Sequence, residues 1–74
     1  MKNILVIGAA GQIGSELVPE LRRRGYMTVA AGSGRTPLTA ALSEGGPTAV
    51  VNLLDADGLR RTVEDYAIDT IFNM

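Results

Sequence analysis

Residues 4–15 constrain the fold of this chain more than any other stretch of its sequence. Four apolar residues at 4–7 lead directly into glycines at 8, 11 and 14, and a helical pattern follows at once. A short apolar run that ends in glycine predicts a strand buried on both faces, as in a parallel sheet. We therefore expect a strand, a tight turn and the start of a helix.

The three glycines of this stretch have separate predicted roles. Gly8 permits a tight turn, Gly11 lets backbone N–H groups approach a pyrophosphate, and Gly14 lets the helix pack closely on the strand. The helix N-terminus adds unpaired N–H donors and a partial positive charge, so the turn is a candidate anion site. The spacing is Gly-x-x-Gly-x-x-Gly rather than the commoner Gly-x-Gly-x-x-Gly. A structural turn without a ligand is therefore the alternative.

Hydrophobic periodicity predicts alternating strands and helices along the rest of the chain. Gly25 is expected to end the first helix, and residues 38–42 form one helical turn at most. The predicted elements, in order, are a strand at 2–7, a helix at 12–24, strands at 26–31 and 48–53, a short helix capped by Asp55, and a strand at 69–74.

The order of these elements, β-α-β-β-α-β, predicts the fold class. It is typical of an α/β protein with a partial Rossmann fold, in which a parallel sheet of strand order 3-2-1-4 forms the middle of three layers. Residues 1–74 would then be the N-terminal half of a dinucleotide-binding domain. A ligand would lie across the carboxyl ends of the first two strands, over residues 8–14.

Composition and charge exclude several kinds of chemistry. The 74 residues include no cysteine and no histidine, so we predict no disulfide, no thiol or imidazole catalyst and no metal site. The net charge of −1 gives no electrostatic case for binding nucleic acid or an anionic membrane. The arginines at 22–24 are expected to cap their own helix rather than bind phosphate. With no membrane-spanning or signal-like segment, we expect a cytoplasmic protein.

Two further regions bear on what the site would recognise. Residues 32–35, Gly-Ser-Gly-Arg, occupy the positions where an acidic residue would accept a hydrogen bond from a ribose 2′-hydroxyl. With no acid there, and with Ser33 and Arg35 as donors, the site suits a 2′-phosphate, which favours NADP over NAD. The alternative is a flexible turn with a solvated Arg35. Asn52, after the third strand, is expected either to reach the adenine with its amide or to bond its own backbone.

Three stretches of the sequence, at 8–21, 50–55 and 68–74, together resemble a known family. They are similar to the extended short-chain dehydrogenase/reductases, the NAD-dependent epimerase/dehydratase superfamily, and most similar to the L-threonine 3-dehydrogenase branch. The resemblance implies an NAD(P)-binding oxidoreductase fold. The cofactor-binding positions that it implies are Gly8, Gly11 and Gly14 at the pyrophosphate, Gln12 and Ile13 through backbone contacts, and Asn52 or Leu53 beside the adenine.

The chain departs from that family in two respects. The family usually has an Asp where Gly32 stands, which weakens the implied preference for NAD. The family's catalytic Tyr-x-x-x-Lys pair is also missing, because Ala30 follows Tyr26 at the fourth position and Thr70 follows Tyr66. No catalytic residue is therefore assigned in this chain, and whether it is an enzyme stays open.

The sequence leaves three interpretations of function. The first is the cofactor-binding part of an oxidoreductase, catalytically incomplete as given. The second is a half-Rossmann module that binds a nucleotide or associates with itself without catalysis, and the third is a redox-sensing regulator.

The fourth strand would lie at a sheet edge with apolar residues at 71, 72 and 74, so we expect residues 69–74 to form a homodimer contact.

Overall fold

The computed structural model describes residues 2–35, 37–52 and 54–74. At its centre is a parallel sheet of four strands in the order β3-β2-β1-β4. The predicted α/β, partial Rossmann fold is thereby confirmed. The elements are β1 (Asn3–Ile7), α1 (Gln12–Arg23), β2 (Met27–Gly32), α2 (Ala40–Gly45), β3 (Thr48–Val50), α3 (Ala56–Asp65) and β4 (Thr70–Asn73).

Strand β1 is the centre of the sheet, because it pairs in parallel with both β2 and β4. Its Leu5 and Val6 are fully buried, as expected of a strand covered on both faces. Successive side chains of a strand point to opposite faces, so the two residues belong to two separate cores. Val6 packs with α1 and α2, whereas Leu5 packs with α3. These two cores make the three layers of the fold.

Helix α2 is longer than the single turn predicted at 38–42. It occupies Ala40–Gly45, so the residues at 43–45, which have loop composition, are helical. The helix forms because its Leu42 is buried in the core beside Val18 of α1, and tertiary packing outweighs a weak local pattern. Among the described helices, none is long and apolar enough to cross a membrane.

Arg22, in the last turn of α1, joins three segments through its side chain. The guanidinium donates to the carbonyl oxygens of Thr28 at 3.0 Å, Leu42 at 2.6 Å and Pro47 at 2.7 Å. A Cβ at Gly46 would lie 2.7 Å from Nε of this arginine, so a larger residue there would displace the guanidinium from these carbonyls. Partial burial lowers the pKa of Arg22. The side chain therefore holds the α2–β3 connection against α1 and β2.

The arginines at 22–24 lie at the end of α1 as predicted, Arg22 and Arg23 in its last turn and Arg24 at the C-cap, but their side chains bond groups other than the last carbonyls of that helix. Arg23 and Arg24 form exposed ion pairs with Glu20, at 2.6 and 3.0 Å, and hydrogen bonds from both arginines lower the pKa of that carboxyl. Exposed pairs of this kind add little stability. Arg22 bonds instead to carbonyls as many as 25 positions away, which a local charge pattern does not reveal.

Helices α1 and α3 end in the same backbone pattern with different residues. After α1, Gly25 has a φ of 91°, the left-handed conformation expected of a glycine in this position. After α3, Ala67 takes the equivalent place with a φ of 50°. Its N–H donates to Glu64 O at 3.2 Å, and the N–H of Ile68 donates to Val63 O at 2.9 Å. An alanine is strained in this conformation, so α3 ends at some cost.

Strand β4 forms one edge of the sheet and exposes apolar side chains. Ile71, Phe72 and Met74 at this edge are 48%, 39% and 47% exposed. Within the part of the chain that the structure describes, β4 pairs with β1 alone. The edge position and the exposure predicted for this strand are both observed.

Candidate cofactor site at the carboxyl ends of the strands

Backbone hydrogen bonds hold the turn between β1 and α1. The N–H groups of Gly8 and Ala9 both donate to Ala31 O in β2, each at 3.0 Å, and the N–H of Gly11 donates to Gly8 O at 3.0 Å. Gly8 has a φ of 84°, which L side chains rarely adopt. The turn is therefore fixed relative to both central strands.

Gly14 brings α1 against this turn. A Cβ on Gly14 would lie 2.9 Å from the Cα of Ala9 and closer still to the carbonyl oxygen of Gly8. Gly11 is different, because its φ of −76° and ψ of 171° suit any residue. A Cβ on Gly11 would meet only Gly8 O, at 3.3 Å. Close packing thus requires glycine at 14, whereas the fold itself does not require it at 11.

The first turn of α1 carries backbone donors without acceptors. The N–H of Ser15 donates to Gly11 O at 2.9 Å and begins the helical hydrogen bonding. Among the described residues, no protein acceptor lies within range of the N–H groups of Gln12, Ile13 or Gly14, and Gly11 at the N-cap has no side chain. Unpaired N–H groups at a helix N-terminus carry partial positive charge and favour anions.

A cleft of about 440 Å³ crosses the carboxyl ends of the strands beside this turn. That volume is within the ~300–1,000 Å³ common for ligand sites. The lining comprises Ile7, Gly8 and Ala10 from β1 and its turn, Gly32, Ser33 and Arg35 from the end of β2, Val51, Asn52 and Leu54 after β3, and Asn73 and Met74 at the end of β4. None of these described residues has an acidic side chain, and Arg35 alone has a charged one.

The structure brings most of the sequence-predicted site residues to one end of the sheet. Gly8, Ser33, Arg35 and Asn52 line the cleft. Gly11, Gln12, Ile13 and Gly14 form the adjacent start of α1. Leu53 lies outside the described residues. The described residues contain no group of three or more Asp, Glu, His or Cys side chains able to hold a metal ion.

Ser33 and Asn52 each make one local hydrogen bond at the cleft wall. Ser33 Oγ accepts the N–H of Arg35 at 3.3 Å, which leaves its hydroxyl proton free to donate. Asn52 Oδ1 accepts the N–H of Leu54 at 2.9 Å, forming an Asx turn. The interpretation that Asn52 bonds its own backbone is confirmed for its oxygen, and its amide nitrogen is left for other partners.

The sequence interpretation missed Asn73, which lines the cleft from the last position of β4. Its Cα is in register with Ile7, directly before the glycine turn. Ligands of open α/β sheets lie outside the carboxyl ends of the strands, at the point where the strand order reverses. Because that point falls between β1 and β4, the topology could have identified this residue.

The structure combines a parallel sheet of order 3-2-1-4 with a glycine turn that leads into a helix. The turn lies beside the point where the strand order reverses. Together these features define the dinucleotide-binding Rossmann class. The comparisons with known proteins are more specific. Residues 4–74 match the model of the NAD-dependent epimerase/dehydratase family. The chain belongs to that family, and the resemblance drawn from its sequence is confirmed.

Individual relatives include L-threonine dehydrogenase and sugar epimerases. An uncharacterized epimerase/dehydratase of Staphylococcus epidermidis is 37% identical over all of this chain and 24% of its own length. The structure of L-threonine dehydrogenase from Clostridium difficile matches all of the chain and 24% of its own, with a TM-score of 0.84 and 30% identity. UDP-glucose 4-epimerase from Brucella ovis, solved with NAD, matches 96% of the chain and 22% of its own, with a TM-score of 0.81 and 32% identity. The chain thus spans about a quarter of the length of these relatives.

Proposed function

We propose that this chain is the nucleotide-binding unit of an NAD(P)-dependent oxidoreductase similar to the L-threonine dehydrogenases and sugar epimerases. Residues 1–74 would be the N-terminal half of its Rossmann domain. The pyrophosphate of the cofactor lies on the N–H groups of Gln12, Ile13 and Gly14. The observation that carries the proposal is this set of donors without described acceptors, on a helix that packs tightly against the glycine turn.

The adenosine half of the cofactor lies over the ends of β2 and β3. None of the described lining residues has an acidic side chain that would repel a 2′-phosphate. The guanidinium of Arg35 and the hydroxyl of Ser33 supply hydrogen-bond donors for it. The related Brucella ovis epimerase was solved with NAD. We therefore propose NAD or NADP as the cofactor, with NADP favoured through Arg35.

The chain contributes cofactor binding rather than proton transfer. When bound, the nicotinamide group supplies hydride transfer. The two tyrosines lie away from the cleft, because Tyr26 precedes β2 and Tyr66 follows α3, at the amino ends of the parallel strands. Neither has a lysine four residues later. In this proposal the chain is catalytically incomplete, and what it provides is the orientation of the dinucleotide across the sheet.

The experiment that tests the proposal replaces Gly11 with valine. The backbone at Gly11 accepts a branched residue, so the fold should persist, while the new side chain blocks the approach to the N–H groups of Gln12 and Ile13. We expect calorimetry with NAD and NADP to show at least about a tenfold loss of affinity, which is ~1.4 kcal/mol.

A matched control separates this effect from a general effect of valine. Ala41→Val adds a branched side chain to an exposed position of α2 and should leave binding unchanged. Circular dichroism should show that both variants are folded. The site assignment would be wrong if Gly11→Val bound either dinucleotide as tightly as the parent chain.

The exposed edge favours a second proposal, that of self-association. We propose that residues 69–74 pair with the same strand of a second copy about a two-fold axis, which would satisfy edge backbone groups and cover Ile71, Phe72 and Met74. Ile71→Lys should prevent the contact by placing a charge within it. Light scattering should then give a dimer for the parent and a monomer for the variant. A compact, folded parent monomer at micromolar concentration would refute the pairing.

A further inference from the structure

The turn after β2 separates two cavities of the molecule. Ser33 and Arg35 line the cleft that crosses the strand ends, whereas Gly34, between them, lines a second cavity of about 490 Å³. That second cavity lies beside β3, where a Cβ on Gly34 would come 3.3 Å from Cγ1 of Val50. The chain therefore turns at Gly34 in a way that leaves both polar side chains on the side of the cleft.

Gly34 makes this turn in the left-handed conformation, with a φ of 90°. The turn brings the N–H of Arg35 back towards Ser33, whose Oγ accepts it at 3.3 Å. Packing leaves room for a side chain at this position, because a Cβ would meet a single atom, on a valine that is itself 73% exposed. What favours glycine at position 34 is therefore the backbone conformation, which strains residues that have a Cβ.

We propose that Gly34 is a positioning residue, whose left-handed backbone holds the guanidinium of Arg35 over the cleft as a donor for the 2′-phosphate of NADP. This inference rests on the proposed function, which assigns the phosphate contact to Arg35. A residue that avoids the left-handed region turns the chain another way, and the guanidinium then leaves the cleft. The affinity for NADP falls with the fraction of molecules in which the arginine still faces the cleft.

Gly34→Ala and Gly34→Asn separate the effect of the backbone from the effect of space. Both variants add a Cβ at the same distance from Val50, so crowding is common to the two. Asparagine enters the left-handed region much more readily than alanine does. Gly34→Ala should therefore lower the ratio of NADP to NAD affinity about fivefold, the lower end of what the strain of alanine allows, whereas Gly34→Asn should keep most of the parent's ratio.

The test is calorimetry in low salt with NADP and NAD, which differ only in the 2′-phosphate, at a temperature where circular dichroism shows every variant to be folded. The double variant of Gly34→Ala with Arg35→Ala should have the ratio of Arg35→Ala alone, because no guanidinium remains to be positioned. This comparison distinguishes a positioning role from a general structural one, which would change the ratio independently of Arg35.

Gly25→Ala is the matched control, because Gly25 has almost the same backbone conformation at the opposite end of β2. Its φ is 91°, and a Cβ there would meet nothing within 4 Å. The substitution should therefore introduce a similar strain and leave the ratio of the two affinities as it is in the parent.

The outcomes distinguish this inference from the function on which it rests. If Arg35→Ala lowers the ratio but Gly34→Ala does not, or if Gly34→Asn lowers it as much as Gly34→Ala, Gly34 does not position the arginine. A further fall in the double variant would overturn the inference in the same way. A ratio that Arg35→Ala leaves unchanged would instead refute the 2′-phosphate contact, and this inference with it.

Discussion

Replacing Gly14 with alanine should destabilise the fold although alanine is the better helix former. The added methyl would lie 2.9 Å from the Cα of Ala9 and closer still to Gly8 O, and both of these atoms belong to the backbone of the turn. The turn cannot move aside easily, because Gly8 and Ala9 are both hydrogen-bonded to Ala31 O. Helix α1 must therefore move away from the sheet and lose part of its packing.

The expected loss in the free energy of unfolding of Gly14→Ala follows from two opposing effects. Overpacking costs about 1–3 kcal/mol, and a contact between backbone atoms belongs at the upper end. Alanine has a higher helix propensity than glycine, which stabilises α1 by up to ~1 kcal/mol. The net loss is about 2 kcal/mol, which lowers the melting temperature of a domain this size by roughly 8–16 °C. A small core supplies only ~3–5 kcal/mol in total, so the effect is large.

Thermal unfolding followed by circular dichroism measures this loss, with Gly11→Ala as the matched control. At Gly11 the methyl would meet a single atom at 3.3 Å, so the cost is that of a poorer N-cap, about 1 kcal/mol at most. The packing argument would be refuted if Gly14→Ala melted at or above the temperature of the parent.

Two further predictions concern the end of α3 and the choice of cofactor. Ala67→Gly should raise the free energy of unfolding by about 0.5–1 kcal/mol, and the melting temperature by a few degrees, because glycine is not strained at the φ of 50° that Ala67 has. A lower melting temperature would contradict this. Arg35→Ala should reduce the ratio of NADP to NAD affinity about tenfold in low-salt titrations, and an unchanged ratio would refute the 2′-phosphate contact.

The parts of the fold that depend on local patterns were predictable from the sequence. The apolar run, the glycine turn and the start of α1 lie within 12 consecutive residues, and each residue type has a local reason for its position. The cap at the start of α3 is equally local, since Asp55 Oδ1 accepts the N–H of Gly58 at 3.1 Å. The rules for parallel sheets then provided the strand order.

The remaining features depend on contacts between distant residues. The extent of α2 follows from the burial of Leu42, and the path of the loop before β3 follows from Arg22, which no local pattern links to Pro47. Ile13 has the helical spacing of a core residue but is 65% exposed, because the backbone of Gly14 makes the contact with the turn. For Asn52 the sequence left two partners open, and only the geometry assigns its oxygen to Leu54.

The central claim is that the cofactor pyrophosphate lies on the N-terminus of α1. The most direct measurement is a titration of the ¹⁵N-labelled chain with NADP, followed by amide NMR spectra. The account predicts that the N–H signals of Gln12, Ile13 and Gly14 shift most, while those of Met27 and Gly46, at the opposite end of the sheet, stay in place. Saturable binding that leaves the signals of residues 12–14 unmoved would contradict it.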